Sequence, residues 1–458
     1  MKVLSRSLNF LVAMTATAAV LLAVIFSPNQ IVPTMEIGSG PVKTTLVEVS
    51  FASGTPVSEA RAARSAQTET IKAFHRDEPF NLLALAWEGD RDTTAFVRAK
   101  QEDGSWSDWY DMELISSPGS KKNGTEPAFL GDTTDVEVKA TGDVDGISAV
   151  FIDGNIQAGI AQMANLDSAG MPLVVSRAGW GADESLRCLD PYYDARNQAV
   201  TLHHTAGKTN YTRAEAAAQV RGVYHYHAQT LGWCDIGYNV LVDRFGTLYE
   251  GRYGGLDRAV QGAHVGGFNT NNWSVSMLGD YSANEPSQAM LKSAAEIAGW
   301  KAARSGFDPA GQTSLRSGGF RGSRFPAGTT YNGPSFLGHR DLHFTECPGE
   351  NTVPYWPQLR ADAHRKYVAI TNGTPDPAPA PDPEPGRKSS IGTADGSSGP
   401  GSSRTDTTSS FAGITVSPQV GETIIGVALG AVLLALAYQA IRMGLPVNRW
   451  LEAIARAL

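Results

Sequence analysis

Basic residues never gather into a block anywhere in this chain. With 38 Lys and Arg against 46 Asp and Glu the net charge is −8, and nucleic acid, which needs a basic stripe, is excluded as a partner. Charge is absent altogether from two long apolar runs. The first, Leu8 to Phe26, follows Lys2 and Arg6 in the layout of an export signal. No clean small-x-small cleavage site follows it, so residues 1–30 read as a signal peptide or an uncleaved N-terminal anchor. The second run, Thr423 to Ile441, approaches the ~20 residues that span a bilayer. It predicts a transmembrane helix over 419–442. Arg442, Arg449 and Arg456 follow, which places the tail 443–458 in the cytoplasm by the positive-inside rule. The body of the chain is then expected outside the cell, anchored to the plasma membrane in the cell envelope.

Between these ends the composition changes three times. Residues 31–168 lack a clear amphipathic helix, Val57–Ala73 excepted. Their apolar or alternating runs at Thr44–Phe51, Asn81–Trp87, Ala95–Lys100, Asp135–Ala140 and Ile147–Ile152 predict an all-β, sandwich-like accessory domain. Its aromatics Trp87, Trp106, Trp109 and Tyr110 suit core packing better than sugar stacking. Residues 169–372 turn to a mixed α/β pattern. There Thr212 and Glu215 form a capping box for a helix to about Gln229, "YNVLVD" and "LYEG" form a hairpin, and Ala289–Arg304 forms a second helix. Residues 373–418 are a Pro-rich then Gly/Ser-rich linker, which as a coil would span roughly 40 Å.

Seven of the nine histidines fall between 203 and 343, so the chemistry is sought there. A catalytic metal wants three protein donors and one open position. "VTLHHTA" ends an apolar strand in His203 and His204, whose side chains point to opposite faces, so one of them can reach a site. His339 and Cys347, in a Gly- and Pro-bounded loop, can converge on the same ion. The chain has three cysteines, and an exported protein should not leave a reactive thiol idle. The economical pairing joins Cys188 to Cys234 and frees Cys347 for a metal, although spacing alone leaves the other pairings open. His225 and His227 lie about 200° apart on a helix and cannot share an ion; His227 is expected to pack behind the site. "HRDL" echoes a kinase catalytic loop, but Glu346 stands where the Asn should be and no strand Lys accompanies it.

Five stretches occur together and in order: "SRAGWGA" (176–182), "LHHTAG" (202–207), "GWCDIGYNVLVDRFGTLYEGR" (232–252), "GAHVGGFNTNNWSVSMLGDY" (262–281) and "LGHRDLHFTECPG" (337–349). In them the chain resembles the peptidoglycan recognition proteins and the zinc-dependent N-acetylmuramoyl-L-alanine amidases of the type 2 family, with bacterial, membrane-tethered members as the nearest pattern. The resemblance implies an α/β amidase domain with a mixed central sheet and flanking helices. It also implies Zn2+ held by His203, His339 and Cys347. Tyr238 and Thr345 would steady the attacking water or the oxyanion. His264, Arg252, Asn269, His204 and Arg340 would line the substrate groove, with Arg258 nearby. The glutamate that some type 2 amidases use as general base is missing, since Ser274 to Met277 occupy that strand; proton handling is then left to Tyr238 and the water itself.

The reaction implied is hydrolysis of the amide between N-acetylmuramic acid and L-alanine in peptidoglycan, for wall remodelling or cell separation. The alternative is a non-catalytic envelope protein that binds muramyl peptides, or one that holds another surface component through the β-domain. Uncontrolled wall cutting would be harmful, which implies restraint. The covering element would be the β-domain, acting with an envelope regulatory partner, or the Gly/Arg-rich insertion Ser314–Gly333.

Overall fold

A computed structural model describes residues 41–57, 69–91, 93–116, 120, 122–158 and 170–373, with the backbone of two paired short strands, Thr34–Met35 and Ile160–Ala161. All of them lie in one compact unit. Both long apolar runs and the linker beyond Gly373 fall outside the described residues. Among the described residues, no helix is long and apolar enough to cross a membrane.

The N-terminal domain is built on β1 (Thr45–Ser50), β2 (Glu69–Trp87), β3 (Ala95–Ala99), β4 (Ala128–Thr141) and β5 (Ser148–Asp153). They pair antiparallel in the order β1-β5-β2-β4-β3 within a ten-stranded sheet. The helix expected at Val57–Ala73 is not found where it is described: Glu69–Ala73 opens β2, and 58–68 lie outside the described residues. The reason is long-range pairing, Ile71 opposite Lys139 and Phe74 opposite Val136, which overrides the local pattern. The register shifts between His75 and Phe80, where Pro79 has no N–H to give the ladder.

The apolar run Asn81–Trp87 is buried on both sides. Leu83, Leu85 and Trp87 enter the domain's own core with Phe51, Val97 and Val138. Leu82, Ala84 and Ala86 instead join Val220, Val223, Tyr224 and Tyr226 of the second domain. A strand covered on both faces reads as continuous apolar sequence.

The second domain carries β6 (Ala199–His204), α1 (Arg213–His225), β7 (Val240–Val242), β8 (Leu248–Glu250), β9 (Asn272–Met277), α2 (Gln288–Ser305), β10 (Phe336–Gly338) and α3 (Trp356–Gly373). The sheet runs from a short strand at Val174–Val175 through β8, β7, β9 and β6 to β10. It is parallel except between β7 and β8, so it is mixed as expected. On one face Val200, Leu202, Val240 and Val275 pack under α2 and α3. The capping box at Thr212 and Glu215 starts α1 as predicted, and a π-turn, Tyr226–Thr230, ends it.

The two domains are joined by main chain as well as by core. Ala206–Gly207 pairs with Ala128–Phe129 of β4. Gly207 sits at φ +92°, and a Cβ there would lie 2.2 Å from the Phe129 carbonyl oxygen, so only glycine allows this approach. Tyr226 donates to the Leu85 carbonyl at 2.8 Å, and Arg221 donates to those of Gly154 and Asn155 at 2.7 Å.

Candidate metal centre at the domain boundary

Strand alternation selects between the two histidines of β6. His204 shares its face with Val200 and Leu202, and its Nδ1 accepts from the Tyr281 N–H at 3.1 Å. It is not among the residues lining either cavity, contrary to the expectation of a groove role, although a ring nitrogen of it lies within 4.8 Å of the Cys347 Sγ and a Glu113 carboxylate oxygen. His203 points to the opposite face and is 1% exposed. His339 opens the short helix after β10, and Cys347 follows in the turn that folds back on it.

The ligating atoms of His203, His339 and Cys347 lie within 4.8 Å of one another. The His203 Nδ1 stands 3.7 Å from the Cys347 Sγ. Hydrogen bonding assigns its tautomer. His264 Nε2 faces the Asn272 carbonyl at 3.3 Å and must donate to it, so His264 Nδ1 is bare. His203 Nε2, 3.0 Å from that bare nitrogen, donates in turn and leaves His203 Nδ1 free for an ion. His339 Nε2 is buried without a hydrogen-bond partner. Burial holds His203 and His339 well below the usual imidazole range, so both are neutral, as ligation requires. The same burial pushes the Cys347 thiol up, with Glu113 adding to the rise. A thiol in this state becomes a thiolate only with a cation beside it. Two neutral imidazoles and one buried thiol thus make a donor set that would fit zinc, with three protein ligands.

The cleft beside this cluster has a volume of roughly 240 Å³ and draws on both domains. Tyr238, His264, His339 and Thr345 line it from the second domain; Trp87 and Glu126 line it from the first. Phe320 and Arg321, within the predicted insertion, close another side. Tyr238 donates its hydroxyl proton to Glu126 Oε1. Glu126 is 2% exposed, and burial pushes its carboxyl up to about 7, against the lowering effect of the Tyr238 hydrogen bond. Glu113 Oε1 accepts from the backbone N–H groups of Glu346 and Cys347, both at 3.2 Å, which buttresses the Cys347 turn from the other domain. Burial pushes its carboxyl up to about 8. Thr345 Oγ1 accepts from the Cys347 N–H at 3.1 Å.

A second, larger cavity of roughly 540 Å³ adjoins the first at Trp233 and Ala263 but holds none of the cluster. Arg252 and Asn269 line it, although both also serve the fold. Arg252 donates to the Ile236 carbonyl at 3.0 Å, and Asn269 Oδ1 accepts from the N–H groups of His264 and Val265. Cys234, which lines it, is disulfide-bonded to Cys188. Arg340 lies outside both cavities, because its side chain turns away to pair with Glu350 at 2.6 Å; the expectation of a groove role is corrected there. His227 is fully buried, its ring 4.4 Å from Trp233 and 5.7 Å from Tyr238, behind the cleft. Of the exposed-or-core aromatics, Trp87 is buried but Trp106 is 38% exposed, beneath the Arg98 guanidinium.

Glu113 and Glu126 escaped the sequence reading. The only trace of Glu126 is an acid two residues before the apolar run Ala128–Leu130, and no spacing ties it to residues more than a hundred positions on.

Residues 193–350 match the family described as N-acetylmuramoyl-L-alanine amidase, and residues 41–162 match one described as Rv3811 N-terminal galactose-binding domain-like. Peptidoglycan-recognition protein SC2 of Drosophila simulans is 31% identical over 189 residues, 41% of this chain and 84% of that protein. Peptidoglycan recognition protein 1 of Bos indicus is 32% identical over 193 residues, covering 41% of this chain and 85% of that one. A human N-acetylmuramoyl-L-alanine amidase is 30% identical over 206 residues, covering 42% of this chain and 30% of that one.

Proposed function

Because this chain belongs to the family of peptidoglycan recognition proteins and N-acetylmuramoyl-L-alanine amidases, we propose that it is a zinc amidase of the cell wall, cutting between N-acetylmuramic acid and the L-alanine of the stem peptide. The observation that carries this reading is the buried donor set His203, His339 and Cys347, with Nδ1 of His203 bared by His264 and with His339 lining the cleft that holds Tyr238. Bound there, zinc would act as the Lewis acid for the amide carbonyl and lower the pKa of water.

The chain's own residues have separate tasks. His264 fixes the His203 ring and its tautomer. Thr345, held by the Cys347 N–H, has a hydroxyl proton to offer a developing oxyanion. Tyr238 sits on the cleft wall with its hydroxyl oriented by Glu126. Trp87 and Phe320 narrow the opening and limit water. The larger cavity next door is proposed to take the stem peptide, with Arg252 supplying positive charge. The body of the chain is proposed to work outside the membrane, tethered by the run at 423–441.

The binding-only reading draws on one observation: β9 turns Ser274 and Ser276, not an acid, toward the cleft side. Metal content and muropeptide cleavage by the purified full chain, beside Cys347→Ala, decide between them. One zinc per chain and free stem peptides, both lost in the variant, are expected. A zinc-loaded chain that binds muropeptide tightly and releases nothing would make it a wall-binding protein instead.

A further inference from the structure

Resting on the amidase reading, we propose that the N-terminal domain completes the active site, with Glu126 as the carboxylate that moves the proton during amide hydrolysis. Four observations converge on it. Glu126 lines the same cleft as Tyr238, His339 and Thr345. Its Oε1 takes the Tyr238 hydroxyl proton, while its Oε2 is buried with no hydrogen-bond partner. A buried carboxyl with an idle oxygen is costly, and the single hydrogen bond from Tyr238 could be accepted by an uncharged glutamine. Finally, the second domain's own strand offers no substitute. Ser276 lies in register with His203 on β9, and its hydroxyl is itself unpartnered.

The carboxyl is held in place rather than delivered by a loose module. The Glu126 N–H donates to the Glu113 carbonyl at 2.7 Å, and the preceding Thr125 Oγ1 accepts from the Leu85 N–H at 2.9 Å. Leu85 is also the residue whose carbonyl binds Tyr226 of the second domain. Shared main-chain bonding therefore sets the distance between Glu126 and Tyr238, as a preorganised site demands.

In the reaction, Glu126 as carboxylate accepts one proton from water while the water oxygen bonds to the lactyl carbonyl carbon. The protonated carboxyl then gives that proton to the amide nitrogen as the C–N bond breaks, releasing the L-alanine amine and the lactyl carboxylic acid, which ionises in solvent. Glu126 returns to its starting state. While Glu126 carries the proton, its O–H can donate to the Tyr238 oxygen, so that the Tyr238 proton turns toward the oxyanion. Burial, which raises Glu126 to about 7, suits a group that must accept and release a proton near neutrality. Tyr238, Tyr226, Glu113 and Cys347 share its field, and Asp90, Arg91, Arg321, His264, His339 and His343 line the same cleft.

The test uses the full chain, its Glu126→Gln variant, which keeps an acceptor for Tyr238, and, because glutamine at a buried site can disturb folding, Glu126→Met as a second replacement that cannot titrate. Each is assayed for kcat and KM on a soluble muropeptide across pH 5 to 9, and for bound zinc. The expected result is a fall in kcat of about 10²- to 10⁴-fold in both variants, the size of a lost general acid–base. KM and zinc content should stay at the parent's level, and the rise in rate near pH 7 should disappear. A folded variant that keeps kcat within about threefold of the parent would overturn the proposal. So would one that fails only by losing zinc or raising KM. A parent chain that cleaves nothing brings down the amidase reading itself, and this proposal with it.

Discussion

His203 becomes a ligand through a neighbour it does not share with the ion. Its Nδ1 is bare only because its Nε2–H is spent on His264, which is fixed in turn by the Asn272 carbonyl. Replacing His264 by Phe removes that acceptor, and zinc affinity is expected to fall by about 10- to 100-fold, read by chelator competition. Unchanged affinity would mean that the tautomer is set elsewhere. The acids make a second residue-scale prediction. Glu126 is raised from 4.5 to about 7, so folding favours its protonated form. Such a group contributes its stability below about pH 4.5 and loses it as pH climbs through about 7. Lys301, pushed down to about 7 by burial, titrates in the same range with the opposite sign, so a difference is the cleaner observable. Metal-free Glu126→Gln should gain on the parent as pH rises from 5 to 8, by at most about 3 kcal/mol, in parallel thermal melts. A gap that is flat with pH would show Glu126 ionised throughout.

Elements differ in how much of them the local sequence shows, for physical reasons. α1 was visible because a capping box is a local device: Thr212 and Glu215 satisfy each other's N–H groups within one turn. β2 was only half visible. Its apolar end at Asn81–Trp87 stands out, but its first half is held by pairing with β4, a relation that no local window contains. The contact between Gly207 and β4 is of the same kind. Gly207→Ala would place a methyl against the Phe129 carbonyl in a left-handed backbone, and should cost more than about 2 kcal/mol in urea unfolding. A neutral effect would mean that the strand pairing between the domains is dispensable.

At the scale of the molecule, the N-terminal domain shares the core of the second domain rather than hanging from it as an appendage. Leu82, Ala84 and Ala86 pack against α1, and without them Val220 and Val223 would meet water. A chain lacking residues 31–168 is therefore expected to aggregate or melt far below the parent, and the described body to unfold in a single calorimetric transition. Two separate transitions, or an unchanged melting point after truncation, would contradict the shared core. Restraint of the cleft was expected from the β-domain or from the insertion. Trp87 and Phe320 both border it, one from each.

The residues at 203, 339 and 347 could be named from the chain because ligand chemistry limits donors to a few residue types, and because five stretches in order mark one family. The mixed sheet was what the resemblance implied, whereas the two helices and most N-terminal strands followed from periodicity, which is written into neighbouring positions. Tertiary structure alone decided which side chains meet across the domain boundary. It turned His204 and Arg340 away from the groove, and it brought Glu126 to Tyr238 and Glu113 to the Cys347 turn. Those meetings depend on how two sheets share a core, and a burial that couples positions 82 to 223 and 126 to 238 leaves no spacing for sequence alone to reveal.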